Sequence, residues 1–560
     1  MKFYTIKKQK GKEYLCLEDR ARIDGKVKRT FFKYLGPREE FPEIKIGKIM
    51  AGSDPLTAES FETKVYSYGI SAALWTLAQE IDLPRIIDSI LQERQTPNLS
   101  TGEYLTIAAI NRIADPCSKT NLGSWFQHDW LSTRISLDSD ILNAQTYWNV
   151  FQRLDPEQIE EIEVKLTNQV RDHFGFSLNH LVYDASNFYT YSQKDTAGGL
   201  RQTGNSKEKK FHLPIVNFFL VCAKPWGIPL LHEAYEGNTQ DAKEFKLIPE
   251  KIKTNMLKLG YDPNQITLYF DKGNLSPKAF ELLDKTQLYF LASLRPSMAK
   301  ELLHVPRNQF TKIILPQTKK EVEYYRTSLI LYKKERLVIV VIDPANEKKH
   351  IYNFQILLQK KLELIQSFID NQLNVKMWTD EQRVTSKLKS LIGKAPWKEI
   401  ILTNIEKEGP LLKVSIKLDE KAKQTYLETF GRSILFTNQL TWSAEEIIWT
   451  YREQYVVEHA FKAMKNPEII AIRPIYVSSR KSIEGHIFIC YLALFLLSIL
   501  RFKLMKKGIR LSYQQIRDDL NHLHINKIFP KSNSPSFFKL EKVRPHSLKL
   551  VKFLHLDCIK

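Results

Sequence analysis

The sequence has few cysteines, and no two of them are close together. The five thiols belong to Cys16, Cys117, Cys222, Cys490 and Cys558. Their spacing excludes a CxxC metal or redox motif. Scattered thiols are typical of a reducing compartment, so we predict a cytoplasmic protein whose cysteines are buried as small side chains.

The sequence also lacks an apolar segment near its first residue. It begins with the basic stretch MKFYTIKKQKGK, so we expect no signal peptide. The most apolar run is IFICYLALFLLSIL at 487–500, which is shorter than the about 20 residues that span a bilayer. We interpret this run as a buried core helix, and a membrane anchor is the alternative.

Acidic residues are in the minority. The 560 residues include 63 acids against 83 lysines and arginines, which gives a net charge of +20. This excess favours a polyanionic partner, because each neutralised phosphate releases condensed counterions; simple solubility is the alternative. The content of 43% hydrophobic and 11% aromatic residues excludes a disordered chain and is compatible with roughly two to four domains.

The first part of the chain predicts a β module followed by a helical domain. Residues 1–62 contain short runs of aromatic and β-branched residues separated by basic turns, which predict a small sheet. This sheet either contacts DNA or is an ordinary solvated sheet. Residues 63–178 carry apolar residues at helical spacing. They predict a helical domain that either includes a helix-turn-helix or is a helical adaptor that only packs.

The central part of the chain alternates strand and helix patterns. Residues 179–300 give the order β-β-β-α-β-α-β, in which Asp184 and Asp271 each follow a strand. Residues 301–435 show mostly strand patterns with one helical stretch, NFQILLQKKLELIQSFIDNQL, and we predict a β-rich insertion there.

The last part of the chain predicts a return to the core and then a basic end. Residues 436–505 begin with a strand and continue with a helix that starts at Ser443, where Glu446 completes a capping box. The pattern predicts one helix that continues to Lys465. Residues 506–560 are a basic C-terminal region without a clear pattern.

Three acids form a candidate metal site, namely Asp184, Asp271 and Glu458. If the strands of the two aspartates are adjacent, their carboxylates come close and repel unless a cation joins them. Mg²⁺ prefers oxygen ligands, and two such ions can support the cleavage and transfer of phosphodiesters. Each acid taken alone has an ordinary alternative as a turn or helix-surface residue.

A polar stripe on the helix predicted from Ser443 to Lys465 supports the candidate metal site. Seven residues make nearly two helical turns, so Tyr451, Glu458 and Lys465 would point the same way, with Gln454 and Lys462 beside them. An unpaired charge on a packed helix is costly. We therefore predict that the stripe faces the metal, with Glu458 as ligand. An ordinary Glu458–Lys462 ion pair is the alternative.

The same spacing carries a family resemblance. Tyr451, Glu458 and Lys465 resemble the Y-(2)-R-(3)-E-(6)-K signature of DDE transposases in the insertion-sequence-four superfamily, although Gln454 stands where that signature has arginine. YDASNFYTY around Asp184 and ITLYFDKGNLS around Asp271 are also similar to this family.

The resemblance implies an α/β fold and a chemistry. The fold would be a ribonuclease H-like core, a mixed sheet flanked by helices, interrupted by the β-rich insertion. Asp184, Asp271 and Glu458 would be the catalytic and metal-binding acids, with two Mg²⁺ ions that Mn²⁺ can replace. The implied activity is cut-and-paste transposition by a homodimer in a prokaryotic nucleoid. It would bind terminal inverted repeats, cleave there, and join the ends to target DNA. The alternatives are a ribonuclease H-like nuclease without strand transfer and an inert DNA-binding protein.

The expected DNA contacts lie in two segments. The loop GGLRQTGNSKEKKF at 198–211 resembles a family stretch near the active site, although a solvated hairpin tip is the alternative. We expect DNA contacts from these eight residues: Arg201, Lys207, Lys209, Lys210, Tyr451, Arg452, Lys462 and Lys465.

Overall fold

The computed structural model describes residues 2–9, 11–23, 26–40, 47–48, 61–91, 99–196, 198–315, 318–453, 455–530 and 535–558. The chain divides into two compact units. The first unit contains Met1–Ala73, Ser124–Ser139 and Asp518–Lys560, and the second contains Leu74–Gly123 and Asp140–Arg517.

Strands occur along most of the described chain. Their bounds are β1 Lys2–Gln9, β2 Lys12–Ile23, β3 Lys26–Pro37, β4 Gly47–Lys48, β5 Phe61–Ser67, β6 His180–Tyr189, β7 Ile215–Ala223, β8 Ile228–Glu236, β9 Thr267–Phe270, β10 Tyr289–Ser293, β11 Thr311–Leu315, β12 Lys320–Leu331, β13 Lys334–Ile342, β14 Ile401–Glu408, β15 Leu411–Leu418, β16 Arg432–Thr437, β17 His524–Pro530 and β18 Phe537–Leu540.

The α-helices are concentrated before the central strands and towards the end of the second unit. Their bounds are α1 Gly69–Glu80, α2 Leu83–Leu91, α3 Thr101–Ala114, α4 Leu122–His128, α5 Ala144–Phe151, α6 Pro156–Phe174, α7 Asp241–Glu244, α8 Ile248–Lys258, α9 Pro277–Leu283, α10 Pro344–Asn371, α11 Glu381–Ile392, α12 Trp397–Ile400, α13 Glu420–Leu427, α14 Ala444–Arg452, α15 Tyr455–Lys465, α16 Arg480–Lys506, α17 Tyr513–Asn521 and α18 Leu548–Phe553.

The N-terminal strands form an antiparallel sheet in the order β3-β2-β1-β4. Tyr4, Leu15 and Leu17 make a small buried cluster on it, whereas almost all of β3 is exposed. So small a cluster limits the hydrophobic stabilisation of this sheet, since that term grows with the apolar area removed from water.

Residues 61–67 differ from the helical pattern expected for residues 63–178. They form β5, which pairs antiparallel with β17, and β18 completes a three-stranded sheet. The partner strand comes from the C-terminal region, far away in the sequence. A local pattern carries no information about so distant a partner, which is why the sequence did not predict this sheet.

The second unit is built on a nine-stranded mixed sheet in the order β11-β12-β13-β16-β10-β9-β6-β7-β8. β9 is parallel to both β6 and β10, and the remaining neighbours are antiparallel. Every residue of β7 is buried, as expected for a strand covered on both faces. The predicted mixed α/β architecture is therefore present in this unit.

The prediction of a β-rich insertion at 301–435 is wrong for its first strands, whereas the helical stretch predicted within it is confirmed by α10. β11, β12 and β13 extend the central sheet, and β16 inserts between β13 and β10. The segment that stands apart consists of α10 to α13 with the hairpin β14–β15. It has its own hydrophobic cluster, which includes Phe354, Ile365, Val384 and Leu412. The patterns at 311–342 show alternating apolar and polar residues and so predict strands. They do not identify the sheet that each strand joins, because long-range pairing decides it.

The apolar run at 487–500 lies within α16. By length and composition this helix could cross a membrane, but 89% of its most apolar window is buried inside the protein. It packs against β8, α3 and α5. Burial in the protein core accounts for its hydrophobicity.

Gly485 is the tightest point of this helix. A Cβ built there would lie 1.8 Å from Cδ1 of Phe151, a ring on α5 that is completely buried. We expect Gly485→Ala to lower the melting temperature. Overpacking costs about 1–3 kcal/mol, which exceeds the about 1 kcal/mol that alanine adds in helix propensity.

The rescue variant is Gly485→Ala with Phe151→Leu, which replaces the ring that the Cβ meets by a smaller side chain. Thermal unfolding should show that Gly485→Ala lowers the melting temperature less in the Phe151→Leu background than in the wild type. An unchanged or higher melting temperature for Gly485→Ala would contradict this packing.

Candidate active site

The register of two parallel strands brings two of the predicted acids together. β6 pairs with β9 so that Val182 lies opposite Tyr269. Asp184 and Asp271 each follow these paired residues by two positions, so they lie side by side at the end of the parallel pairing. Asp271 follows the carboxyl end of β9, and Asp184 lies just beyond the last β6 residue that pairs with β9. Open α/β sheets bind ligands at this edge of their parallel strands.

The strand that carries Asp184 is longer than the sequence predicts. Asp184 was expected to follow a strand at 181–183, but β6 continues to Tyr189. The continuation pairs with β7, from Ala185 opposite Phe219 to Tyr189 opposite Ile215. Asp184 is thus held in the middle of a rigid strand, beside the point where β9 ends.

The carboxylate of Asp184 is largely desolvated. Burial raises its pKa to about 6, with a further rise from Asp271 and opposing effects from Lys207 and the Ala185 N–H. That N–H donates to Oδ1 of Asp184 at 2.8 Å. A pKa raised by burial and a neighbouring carboxylate is the electrostatic situation that a bound cation relieves.

Asp271 immediately follows β9 and is exposed. Its Oδ1 accepts hydrogen bonds from the backbone N–H of Lys272 at 2.7 Å and from the hydroxyl of Ser293 at 2.8 Å. Ser293 is the last residue of β10, the next strand in the sheet. These two donors fix one carboxylate oxygen and leave the other for a ligand.

The predicted continuous helix from Ser443 to Lys465 is wrong, because α14 ends at Arg452 and α15 begins at Tyr455. The Ser443–Glu446 capping box is confirmed. Gln454, the departure from the signature, lies outside the described residues.

A lysine from another part of the chain contacts the end of α14. The buried ammonium of Lys224 donates to the carbonyl of Thr450 and lies 3.9 Å from Glu453 Oε2. Lys224 also stabilises the negative end of the helix dipole. Burial lowers the pKa of Lys224 to about 7.

Despite the break, Tyr451 and Glu458 open onto the same space as the aspartates. We call this space the acidic cleft; it has a volume of about 440 Å³, and the residues lining it include Asp184, Asp271, Asp343, Tyr451, Arg452 and Glu458. Burial raises the pKa of Tyr451 to about 12, with smaller contributions from Asp271 and Glu458 and an opposing hydrogen bond with Ser293. The Tyr451 hydroxyl therefore stays protonated at neutral pH and can donate a hydrogen bond.

Asp343 is a fourth acid in the cleft that sequence reasoning missed. It follows β13 and caps α10, where its Oδ1 accepts from the N–H of Ala345 at 3.0 Å. Its Oδ2 accepts from Arg452 at 2.6 Å. The signal in the sequence was an aspartate before proline at a strand-to-helix junction, which predicts a helix cap. Because Arg452 is paired with Asp343, it is partly neutralised as a DNA contact.

The predicted basic loop divides into buried and exposed members. Arg201 is only 10% exposed and is paired with Asp195, with Nε 2.9 Å from Oδ1. Its guanidinium therefore holds the loop together through Asp195. Lys209 and Lys210 are exposed. Lys207 donates to the carbonyl of Ala185, beside Asp184.

The two lysines of α15 differ from each other. Lys462 is exposed, and Lys465 is only 21% exposed. Burial lowers the pKa of Lys465 to about 8, Lys207 lowers it further, and Asp184 raises it. Nζ of Lys465 lies 5.5 Å from the centre of the Phe188 ring, on the same strand as Asp184.

The acids fit a hard divalent cation in their chemistry. Within the described part of the chain, no three His, Cys, Asp or Glu side chains are close enough to enclose a metal by themselves. Mg²⁺ does not require such a cage, since it usually takes one or two carboxylates together with waters and substrate phosphates. Asp184 and Asp271, level on adjacent strands, match that requirement, and Glu458 lines the same cleft.

The sequence places the chain among enzymes that act on DNA. Residues 175–496 match the family described as "Transposase DDE domain", and this segment is more than half of the chain. The chain belongs to this family. It is a DNA transposase, an enzyme that catalyses DNA cleavage and strand transfer.

Among solved structures, the chain is similar to the cryo-EM structure of the piggyBac transposase synaptic complex with hairpin DNA. The identity is 10%, the TM-score is 0.36, and the match covers 80% of this chain and 79% of that chain. No curated protein matches this chain significantly.

The raised pKa of Asp184 gives a test of the site that needs no catalysis. Between about pH 4 and pH 6 the folded protein keeps a proton that the unfolded chain releases, so this residue's contribution to stability falls as pH rises through that range. Asp184→Asn removes the cost. We expect it to raise the melting temperature at pH 7–8, by an amount corresponding to a few kcal/mol at most.

The effect of Asp184→Asn should disappear near pH 4, and thermal unfolding without divalent metal measures it. Asp172→Asn, on the exposed end of α6, is the matched control and should show a much smaller dependence on pH. A melting temperature that falls at pH 7–8 in Asp184→Asn would contradict the desolvation of this carboxylate.

Proposed function

We propose that this enzyme is a cut-and-paste transposase of the signature-bearing branch of the insertion-sequence-four superfamily, with Asp184, Asp271 and Glu458 as its catalytic acids. The observation that carries the proposal is that these three residues, distant in sequence, line one cleft. The strand order β8-β7-β6-β9-β10 supports a ribonuclease H-like core.

Asp184, Asp271 and Glu458 would hold two Mg²⁺ ions, with Mn²⁺ as a possible replacement. When bound, such ions polarise the phosphate and lower the pKa of the attacking water or 3′-hydroxyl. The donor set is all oxygen, which suits both metals.

The chain's own residues prepare the cleft for that chemistry. The N–H of Lys272 and the hydroxyl of Ser293 orient Asp271. Asp184 is ready to bind a cation only when ionised, which its pKa of about 6 allows at neutral pH. The protonated hydroxyl of Tyr451 can donate to a phosphate oxygen at the edge of the cleft.

The DNA contacts in the proposal come from two segments. Lys207, Lys209 and Lys210 precede β7, and Tyr451, Arg452, Lys462 and Lys465 belong to α14 and α15. Arg201 is left out because it is only 10% exposed and paired with Asp195. Arg452, which is 26% exposed and lines the acidic cleft, is kept although Asp343 pairs with it. Residues 1–62 and 63–178 would bind the terminal inverted repeats, and a homodimer would hold two ends together and join them to target DNA. This activity would take place on the nucleoid of a prokaryotic cytoplasm.

The reaction is tested on duplexes that carry the DNA flanking the coding region. We expect Mg²⁺-dependent cleavage and joining to a target plasmid, because the flanking DNA would contain the terminal repeats. Asp184→Asn, Asp271→Asn and Glu458→Gln should each lower both products by about 10³-fold or more, while DNA binding remains.

Asp172→Asn, outside the acidic cleft, should keep the wild-type rate. Cleavage without joined product would identify a nuclease and contradict strand transfer. Wild-type cleavage in any one of the three variants would remove that residue from the proposed set.

A further inference from the structure

A second set of charges lies beside the acidic cleft and contains residues that no motif indicated. Glu208 contacts two cations, Lys465 and Arg473. Its Oε1 is 3.8 Å from Nζ of Lys465, and its Oε2 is paired with Nη1 of Arg473. Arg473 also donates from Nε to the backbone carbonyl of Lys465 at 3.2 Å. The arginine is therefore fixed to the end of α15 by the main chain as well as by Glu208.

A short turn presents Glu208 to these cations. The N–H of Lys209 donates to the carbonyl of Ser206 at 3.0 Å, which closes the turn. Asn187 on β6 accepts from the N–H of Lys207 at 3.0 Å and donates to the carbonyl of Asn205 at 3.0 Å. Two hydrogen bonds thus tie the turn to the strand that carries Asp184.

Only one of the two carboxylate oxygens of Glu208 is well paired. The three side chains are only 20–25% exposed, yet within the described residues Oε1 of Glu208 has no hydrogen-bond partner. The ammonium of Lys465, at 3.8 Å, is beyond hydrogen-bonding distance. A carboxylate supplies two oxygens to two cations that together offer more donors than it can use.

The surroundings suit a phosphodiester better than a carboxylate. Nζ of Lys465 lies 5.5 Å from the centre of the Phe188 ring, on the strand that carries Asp184. Lys207 donates to the carbonyl of Ala185, next to Asp184, so these cations border the first acid. Arg473 lies over the ring of Tyr189 at 5.5 Å, and the ring of Tyr191 lies 5.5 Å from that of Tyr189. The Tyr191 side chain is 61% exposed. Two cations beside an exposed aromatic surface are typical of a groove that follows a nucleic-acid strand.

We propose that Lys465 and Arg473 form a binding site for a backbone phosphate of DNA, and that Glu208 occupies this site until DNA displaces it. The inference rests on the proposed function for the DNA contact of Lys465 and adds Arg473 as a second ligand and Glu208 as an inhibitory carboxylate. A phosphate bound there lies next to Asp184. The Glu208 carboxylate must move out of the site before a DNA phosphate can bind there.

The test uses the full chain and a duplex oligonucleotide of arbitrary sequence, since contacts to the backbone do not depend on sequence. Binding is measured by fluorescence anisotropy without divalent metal. Glu208→Gln keeps the shape of the side chain and removes the competing charge, so we expect a Kd about threefold to tenfold lower than that of the wild type. Arg473→Gln should raise the Kd and reduce the slope of log K against log salt by about 0.9.

Glu250→Gln is the matched control for the loss of one negative charge. Glu250 is 62% exposed and pairs with Lys253 on α8. In the double variant Glu208→Gln/Arg473→Gln, the gain from Glu208→Gln should be largely lost, because the freed cation is absent. Melting temperatures confirm that each variant is folded.

Two outcomes would overturn the proposal. One is an equal decrease of the Kd for DNA in Glu208→Gln and Glu250→Gln, which would show that the effect comes only from the change in net charge. The other is an unchanged or higher Kd for Glu208→Gln in a folded protein. Because the assay contains no metal and requires no cleavage, failure of the proposed transposition chemistry would leave these results interpretable.

Discussion

The parallel pairing of β6 with β9 is the constraint on which the active site depends. It places Val182 opposite Tyr269 and so brings Asp184 level with Asp271. Both strands are buried at this point, with Leu181, Val182 and Leu268 fully covered. A slip by one residue would turn each side chain to the opposite face of the sheet. The hydrophobic core and the geometry of the two acids are therefore fixed together.

The rest of the cleft is added around this pair by neighbouring elements. β10 contributes Ser293, which orients Asp271, and β13 leads to Asp343, which pairs with Arg452. The ammonium of Lys224 donates a hydrogen bond to the carbonyl of Thr450, near the end of α14. The cleft thus depends on long-range contacts from four strands, and this rigidity suits a site that must hold repelling carboxylates together.

The three acids could be proposed as a site from the sequence, but several of the elements and side chains that hold them in place could not. Asp184 and Asp271 stand out because polar residues interrupt strongly apolar strand patterns, and Glu458 stands out within an apolar helix. The break between α14 and α15 could not be predicted, because the helical period continues across it. The strands at 311–342 were visible, but their place in the central sheet was set by pairing with β16. Arg201 looked like a DNA ligand because its partner Asp195 is only revealed by the folded loop.

The most direct test of the central claim is to bind Fe²⁺ in place of Mg²⁺ and map where hydroxyl radicals cut the protein backbone. Fe²⁺ accepts carboxylate ligands, and the radicals it produces act close to the metal. If the three acids share one metal site, cuts will cluster near Asp184, Asp271 and Glu458 and will disappear when Mg²⁺ is added in excess. Cuts confined to one of these segments, or located elsewhere in the chain, would contradict a shared site.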